Sequence, residues 1–268
     1  MFIEEATWQE IADIITSQTV AVIPTAAIEQ HGPHLPLSTD VVLIEEFCRL
    51  ADKSLSGIGT LVTPTIWLGY TRSNMIFPGT LTCSSQVFLA MLENVTDSLY
   101  CHGLRRFFLV NGHGWNDALV KAAANDLLKR DGVIVAACSY WDVATEAMQG
   151  ISEPDVGVGH AGEFETACML ALRPEHVRRE KIVSNSTEWR NETARRLLNC
   201  PGAFIRGDGL GDLKSEIGVY GDPSRATPEQ GERLVELVAK RLAEMIRDLA
   251  TVEGNEAGSY IWKPRRVD

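Results

Sequence analysis

Short apolar segments alternate along this chain with amphipathic helical patterns, and this alternation constrains the fold more than any other feature. The strand-like segments lie at 19–24, 60–65, 105–110 and 133–140, and helical patterns lie before, between and after them. Such alternation favours βαβ units, in which helices cover both faces of a parallel sheet. We therefore predict an α/β fold of three layers, with a mostly parallel sheet flanked by helices and a single domain over residues 1–268.

The helical patterns can be bounded by their caps and their periodicity. Thr7 can cap a first helix that runs from Trp8 to about Ser17, with Glu10 as its capping-box partner. Further helices are predicted from Asp40 onward and at 84–102, 116–130, 161–172 and 227–250. The stretch 184–223 has weak periodicity and many Gly and Asp residues, so we interpret it as a long irregular segment that covers a site or makes subunit contacts.

Polar runs that contain histidine follow two of the strand-like segments. E-Q-H-G-P-H-L-P-L-S-T-D at 29–40 follows the first strand, and N-G-H-G-W-N at 111–116 follows the third. A third run, G-H-A-G-E-F-E-T at 159–166, opens a helical pattern. Carboxylate and imidazole groups suit zinc, manganese and iron ions. Because ligands bind at the carboxyl ends of parallel strands, the runs predict a metal site there. For the first run alone, a solvated polar loop is the alternative.

These runs resemble the creatininase (creatinine amidohydrolase) family. Two further motifs add to the resemblance, F-P-G-T at 77–80 and G-V-Y-G-D-P-S-R-A-T at 218–227, and it extends from about Ile3 to Leu249. It implies an α/β fold, a two-metal hydrolytic centre and commonly a hexamer. Members of the family hydrolyse a cyclic amide, a formamide, a peptide and an oxidised inositol. The resemblance therefore specifies the chemistry more closely than the substrate.

The resemblance also implies ligands for each ion. One ion would bind Glu29, Asp40 and His113. The second would bind His31 and Asp40, so that the Asp40 carboxylate bridges the two cations. His34, three residues after His31, is expected to support a ligand carboxylate by a hydrogen bond.

One ligand of the second ion is missing from its usual place. Creatininase has a glutamate two residues after the histidine of its N-G-H run, where this chain has Trp115, and an indole cannot replace a carboxylate. Glu163 is the predicted substitute, because other family branches share G-H-A-G-E. Its alternative role is that of an acid favoured by the helix dipole. Glu165 would lie on a different helix face, so we do not expect both acids to bind one ion.

Other residues are candidates for catalysis and substrate binding. His160 is the candidate proton carrier, since imidazole titrates near neutral pH, and its alternative role is to orient a ligand by hydrogen bonding. Trp141 matches a tryptophan of the creatininase active site and is interpreted as a pocket wall or lid. Substrate contacts are predicted for Ser73 and Asn74, where many relatives carry Glu-His, and for Trp115.

We expect hydrolysis of a small amide-like substrate, cyclic or formylated, by a water that two divalent ions activate, with no organic cofactor. Zinc is the first expectation for the ions, and manganese and iron are the alternatives. Two other functions remain open. One is hydrolysis of a C–C bond in a cyclic polyol diketone at the same site, and the other is non-catalytic binding of a small molecule or metal.

Composition limits the partners and the location. The net charge of −11 disfavours nucleic acid and anionic membranes as partners. No apolar run approaches transmembrane length and the acidic N-terminus does not resemble a signal peptide, so the expected location is the cytoplasm. The six cysteines contain no C-x-x-C pair, which favours buried free thiols. A homo-oligomer, commonly a hexamer, would cover 184–223 and the apolar tail 260–262.

Overall fold

A computed structural model describes residues 1–143, 159–183 and 215–253 of the chain. Its sheet has four strands, in the order β2-β1-β3-β4. The strands are β1 Val20–Thr25, β2 Thr60–Val62, β3 Arg106–Asn111 and β4 Ile134–Ser139. Every neighbouring pair is parallel, which confirms the predicted parallel sheet.

Helices connect and cover these strands. They are α1 Trp8–Ile14, α2 Thr39–Ser54, α3 Ser85–Cys101, α4 Asp117–Leu127, α5 Tyr140–Val143, α6 Glu163–Leu172 and α7 Pro228–Thr251. The capping box of Thr7 and Glu10 is present. Helix α1 ends earlier than predicted, because the Thr19 hydroxyl donates to the carbonyl of Ile14 and closes the chain into a turn. No helix within the described ranges has both the length and the apolar character needed to cross a membrane.

Alternate side chains of each strand enter two separate apolar layers. In β3, Phe108 and Val110 pack in one cluster with α2, α6 and α7, whereas Phe107 and Leu109 pack with α3 and α4. This alternation is the period of two that a strand imposes on its side chains. All four side chains are fully buried, and each such burial contributes about 1.5–3 kcal/mol. The sheet is therefore covered by helices on both faces, as predicted for a three-layer fold.

The strand order changes direction between β1 and β3. The chain passes from β1 through α2 to β2 on one side, and β3 and then β4 lie on the other side. A crevice forms at such a point, outside the carboxyl ends of the two strands. Thr25 and Asn111, the last residues of β1 and β3, are register partners, and the Thr25 hydroxyl donates to Asn111 Oδ1 at 3.1 Å. The loops that leave the two strands therefore start side by side.

Two segments discussed above lie wholly or partly outside the described residues. The irregular segment predicted at 184–223 is described only from Ser215 onward, where His160 and Tyr220 form an antiparallel bridge. The apolar tail at 260–262 also lies outside these ranges.

Candidate metal centre

A cluster of buried ionisable side chains lies at the crevice between β1 and β3. The loop after β1 provides Glu29 and His31, the first turn of α2 provides Asp40, the loop after β3 provides His113, and the first turn of α6 provides Glu165. None of these residues is more than 5% exposed. Burial of charged groups is costly unless they are paired or bind an ion. The cluster therefore has the character of a binding site.

Distances inside the cluster match those between ligands of a shared ion. His31 Nε2 lies 3.0 Å from Asp40 Oδ1 and 3.7 Å from Glu165 Oε2. His113 Nδ1 lies 3.0 Å from Glu29 Oε1 and 3.1 Å from Asp40 Oδ2. Ligand atoms bound about 2.0–2.2 Å from a tetrahedral ion lie roughly 3.3–3.6 Å apart. The observed spacings are close to this range.

The ligand atoms form two overlapping groups. Glu29, Asp40 and His113 make one group, and His31, Asp40 and Glu165 make the other, with the atoms of each group within 4.8 Å of one another. Asp40 belongs to both groups and presents a different oxygen to each histidine. A carboxylate in this position can bridge two cations.

Backbone carbonyls determine which nitrogen of each histidine faces the cluster. His31 Nδ1 lies 3.2 Å from the carbonyl oxygen of Glu29, and His113 Nε2 lies 3.2 Å from that of Tyr70. A carbonyl oxygen only accepts hydrogen bonds, so these nitrogens carry the proton of the neutral ring. The other nitrogens then present lone pairs to the carboxylates, as in metal-bound histidines. Lone pairs that face carboxylate oxygens repel unless a cation lies between them, so the arrangement fits divalent ions.

Among the described residues, two buried polar atoms of the cluster lack a hydrogen bond, which also fits the binding of divalent ions. Within the described part of the chain, His31 Nε2 and Asp40 Oδ2 are buried and make no hydrogen bond of acceptable geometry, although each has a close neighbour. A buried polar atom without a hydrogen bond costs about 1–3 kcal/mol. Coordination of a cation would remove this cost at both atoms.

Without metal ions, the neighbouring carboxylates raise the pKa values of the two cluster histidines, His31 and His113. Burial lowers the pKa of His113, but the negative charges of Glu29 and Asp40 raise it to about 10. Burial also lowers the pKa of His31, while Asp40 and Glu165 raise it well above its usual value. Burial raises the pKa of Glu29, but His113 lowers it more. Both imidazoles therefore gain a second proton without metal, and an ion must displace it.

We expect metal binding to release protons and to weaken as the pH falls. The pKa of His113 near 10 means that this imidazole is protonated at neutral pH, whereas a ligand must be neutral. Each displaced proton lowers the apparent affinity about tenfold per pH unit below that pKa. Calorimetric titration of metal-free protein with Zn²⁺ between about pH 6 and pH 8, in buffers of different ionisation enthalpy, measures both effects. An affinity independent of pH, without proton release, would contradict this expectation.

The structure brings Glu165 into the cluster instead of the predicted Glu163. Glu163 Oε1 accepts a hydrogen bond from Gln230 Nε2 of α7 at 2.6 Å. The Glu165 side chain turns back over the start of α6, where Oε2 accepts from the backbone N–H of Ala161 at 2.5 Å. Ala161 has a φ of 51°, a left-handed conformation that directs this N–H toward the helix. Ala161 lies two residues before the first residue of α6, so a contact outside the helix orients the Glu165 carboxylate.

His160 lies beside the cluster. Its ring centroid is 4.4 Å from that of His31, and its Nδ1 is 3.6 Å from Glu29 Oε1. Its Nε2 lies 2.8 Å from the carbonyl oxygen of Gln30. Burial and the charge of His31 lower the pKa of His160, so its neutral form is favoured. Ligand atoms of Glu29, His31 and His160 also lie within 4.8 Å of one another, so His160 is placed either to bind an ion or to carry a proton.

The predicted substrate-binding residues occupy different surroundings. Ser73 is exposed, whereas Asn74 is buried and its Nδ2 donates to Glu29 Oε2 at 2.6 Å. Trp115 is half-buried two residues after His113, and its ring packs edge-on against Tyr70 at a centroid distance of 6.3 Å. Ser73 and Trp115 therefore keep part of their surface exposed, while the Asn74 side chain bonds within the protein.

Trp141 and His34 contact elements of the fold that also carry site residues. Trp141 is half-buried, packs edge-on against Tyr140 at 4.9 Å and contacts the apolar layer that includes α6. His34 Nε2 lies 2.9 Å from the hydroxyl of Thr166, rather than near a carboxylate as predicted. Burial and the charge of His31 lower the pKa of His34 to about 4. His34 therefore links the first polar run to α6 as a neutral group.

Asn111 supports the site without having been singled out by the sequence analysis. Its Nδ2 donates to the carbonyl of His113 at 2.7 Å and to Ser139 Oγ at 2.8 Å, and its Oδ1 accepts from the N–H of His113 at 3.0 Å. These bonds fix the turn that presents His113. An asparagine before glycine at a strand end is a signal for such a turn. Thr71 and Gln30, which also contact site residues, have no comparable signal.

Known proteins are similar to this chain over nearly its whole length. A family model for creatinine amidohydrolase matches residues 4–246. The creatinine amidohydrolase of Pseudomonas putida is 28% identical, over 92% of this chain and 96% of the relative. The mycofactocin precursor peptide peptidase of Mycobacterium tuberculosis is 32% identical, over 80% and 78%. The 3-dehydro-scyllo-inosose hydrolase of Thermotoga maritima is 26% identical, over 93% and 83%.

Solved structures of creatininase share the fold. One crystal structure of creatinine amidohydrolase superposes with a TM-score of 0.77 at 25% identity, covering 94% of this chain and 98% of the other. A manganese form has a TM-score of 0.78 at 25% identity, covering 94% and 99%. A variant complexed with creatine gives the same values. All segments that form the buried cluster lie within the range matched by the family model.

Proposed function

Because the chain belongs to the creatinine amidohydrolase (creatininase) family, we propose that it is a metal-dependent hydrolase of a small amide-like substrate, a cyclic amide or a formamide. One observation carries the proposal. The two carboxylate oxygens of Asp40 each approach a different histidine, His31 and His113, at 3.0 and 3.1 Å. This arrangement supports two adjacent metal positions. The hydrolytic relatives support the reaction class.

The proposed ligands are Glu29, Asp40 and His113 for one ion and His31, Asp40 and Glu165 for the other. Two divalent ions held there would supply an activated water and an electrophile for the carbonyl oxygen of the substrate. Zinc is the first choice and manganese or iron the alternatives, since imidazole and carboxylate ligands suit all three. The manganese form of creatininase supports a site of this type.

His160 is the proposed proton carrier. Its Nε2–H donates to the carbonyl of Gln30, which leaves Nδ1 as the acceptor on the side of Glu29. Nδ1 can take a proton from the attacking water and pass it to the departing nitrogen. Burial lowers the pKa of His160, which favours the neutral ring that can accept a proton. Trp115 and Trp141 are proposed as walls of the pocket, and Ser73 as a contact for the substrate.

Replacing His160 with alanine is expected to lower kcat by about 10²–10⁴-fold while both ions stay bound. The pH–rate profile should lose one limb, because the group that titrates is removed. Elemental analysis and steady-state kinetics measure these effects, with the exposed His176→Ala as the matched control. Loss of one ion from His160→Ala would instead identify His160 as a metal ligand. A normal kcat would show that another residue carries the proton.

A second function is favoured by one relative. The 3-dehydro-scyllo-inosose hydrolase aligns with 93% of this chain, so hydrolysis of a C–C bond in a cyclic polyol diketone is the alternative at the same site. The same proton carrier would then protonate the departing carbon. Non-catalytic binding of a small molecule or metal is the remaining alternative.

A substrate panel tests these functions. Metal-free and Zn²⁺- or Mn²⁺-reconstituted protein would be assayed with lactams, formamides, short peptides and inositol-derived diketones. Metal-dependent turnover of a lactam or formamide is the expected result. Turnover of the diketone alone would establish the second function, and turnover of peptides alone would assign a peptidase. Ion binding without any turnover would favour the non-catalytic alternative.

The assembly and the location are part of the proposal. The resemblance supports a homohexamer, and the cytoplasm is the proposed location. Large apolar side chains at Trp67, Met75 and Ile76 are about half exposed or more, at 48%, 50% and 65%. A subunit interface would cover such a surface.

A further inference from the structure

The outer oxygen of Glu29 is held by two neutral side chains of a short turn. Thr71 Oγ1 donates to Glu29 Oε2, and Asn74 Nδ2 donates to the same oxygen at 2.6 Å. The other oxygen, Oε1, faces His113. Thr71 is 0% exposed and Asn74 8%. Both hydrogen bonds are therefore buried in the protein interior, where hydrogen bonds are stronger than in water.

Further hydrogen bonds fix the two side chains. Asn74 Nδ2 also lies 3.3 Å from Thr71 Oγ1, so the hydroxyl accepts from the amide while it donates to Glu29. The backbone N–H of Thr71 donates to Thr82 Oγ1 at 2.9 Å. Asn74 Oδ1 accepts from Gln30 Nε2 at 3.2 Å. Each polar atom of the Asn74 side chain thus has a partner inside the protein.

Gln30 continues this chain of contacts to His160. Its backbone carbonyl oxygen accepts a hydrogen bond from His160 Nε2–H at 2.8 Å. Its Oε1 accepts from the N–H of Gly32 at 2.9 Å, which fixes the orientation of the amide. Gly218 packs directly on this amide: its φ is +72°, and a Cβ there would lie 1.8 Å from Gln30 Oε1. Gln30 is therefore held in place between Asn74 and Gly218.

We propose that Thr71 and Asn74 are positioning residues that fix Glu29 for metal binding, and that Asn74 links this carboxylate to His160 through Gln30. The inference rests on the proposed function, because it assigns Glu29 to an ion. It also replaces the predicted role of Asn74 as a substrate contact. Removal of a contact that orients a metal ligand typically lowers metal affinity about 10–100-fold.

The test compares matched substitutions at Thr71. Thr71→Val keeps the shape of the side chain and removes the hydroxyl, whereas Thr71→Ser keeps the hydroxyl. Competition with a chromophoric chelator measures Zn²⁺ affinity. Thr71→Val and Asn74→Ala should weaken one of two ions about 10–100-fold, and Thr71→Ser should restore near-normal affinity. Arg72→Ala, in the same turn but exposed, is the control for metal affinity.

A second readout separates positioning from substrate binding. If Asn74 positions Glu29, Asn74→Ala lowers kcat at limiting Zn²⁺, and excess Zn²⁺ restores much of it while KM changes little. An increased KM with unchanged Zn²⁺ affinity would overturn the inference and return Asn74 to the substrate pocket. Circular dichroism of the metal-free variants checks folding, and Asn74→Ser replaces Asn74→Ala if the alanine variant does not fold.

The outcomes distinguish this inference from the proposed function. Wild-type protein that binds no Zn²⁺ would contradict the proposed function itself. Wild-type protein that binds two ions, together with equally tight binding by Thr71→Val and Asn74→Ala, would contradict only the inference.

Discussion

Replacing Asp40 with asparagine is expected to remove both ions and to lower kcat by at least about 10²–10³-fold. The Asp40 carboxylate approaches His31 with one oxygen and His113 with the other. An amide keeps the shape but supplies no negative charge between two cations. The loss should therefore affect both positions rather than one.

Elemental analysis and steady-state kinetics with the substrate found by the panel measure this effect. Asp126→Asn is the matched control, because that carboxylate is exposed and pairs only with Lys129 among the described residues. The circular dichroism spectrum should be nearly unchanged, since the amide has the same size and shape as the carboxylate. Full occupancy of both ions in Asp40→Asn would refute the bridging assignment.

Replacing Glu165 with glutamine is expected to weaken one ion, whereas the same change at Glu163 should leave both ions bound. Glu165 Oε2 lies 3.7 Å from His31 Nε2, and Glu163 is directed to Gln230. Loss of a direct ligand should exceed the roughly 10–100-fold loss of affinity that follows removal of an outer contact. The two substitutions are chemically identical and lie on the same helix turn, so each controls for the other.

Anomalous scattering from crystals of both variants locates the remaining ions. Selective loss of the ion beside His31 in Glu165→Gln is the expected result. The opposite pattern, with that ion lost only in Glu163→Gln, would support the assignment made from the sequence.

The fold was predictable because local patterns and long-range packing agree. The apolar segment that became β3 alternates its side chains between two layers, and the same period is required of any strand covered on both faces. Helix α2 begins at Thr39, within one residue of the predicted Asp40. The ends of elements were predicted less well, as at α1, because a single side-chain bond from Thr19 determines where the helix stops.

Much of the candidate site was also predictable, because its residues lie in short runs at strand ends. Glu29 and His31 follow β1, and His113 follows β3, so a parallel sheet brings them to one edge. Asp40 lies in the first turn of the next helix, where its carboxylate reaches His31 and His113. The structure brings these four side chains together as the resemblance implied, and their roles as ligands remain a proposal.

The sequence by itself determined the parallel sheet, its helical layers and the residue types at the crevice. Only the tertiary structure placed Glu165 beside His31 and Glu163 beside Gln230, and only it placed Asn74 on Glu29. The reason is that hydrogen-bond partners distant in sequence orient these side chains: Asn74 lies 45 positions from Glu29, and Gln230 lies 67 from Glu163. Local spacing limits which face a side chain occupies, but the groups that surround it in the fold determine where its polar atoms point.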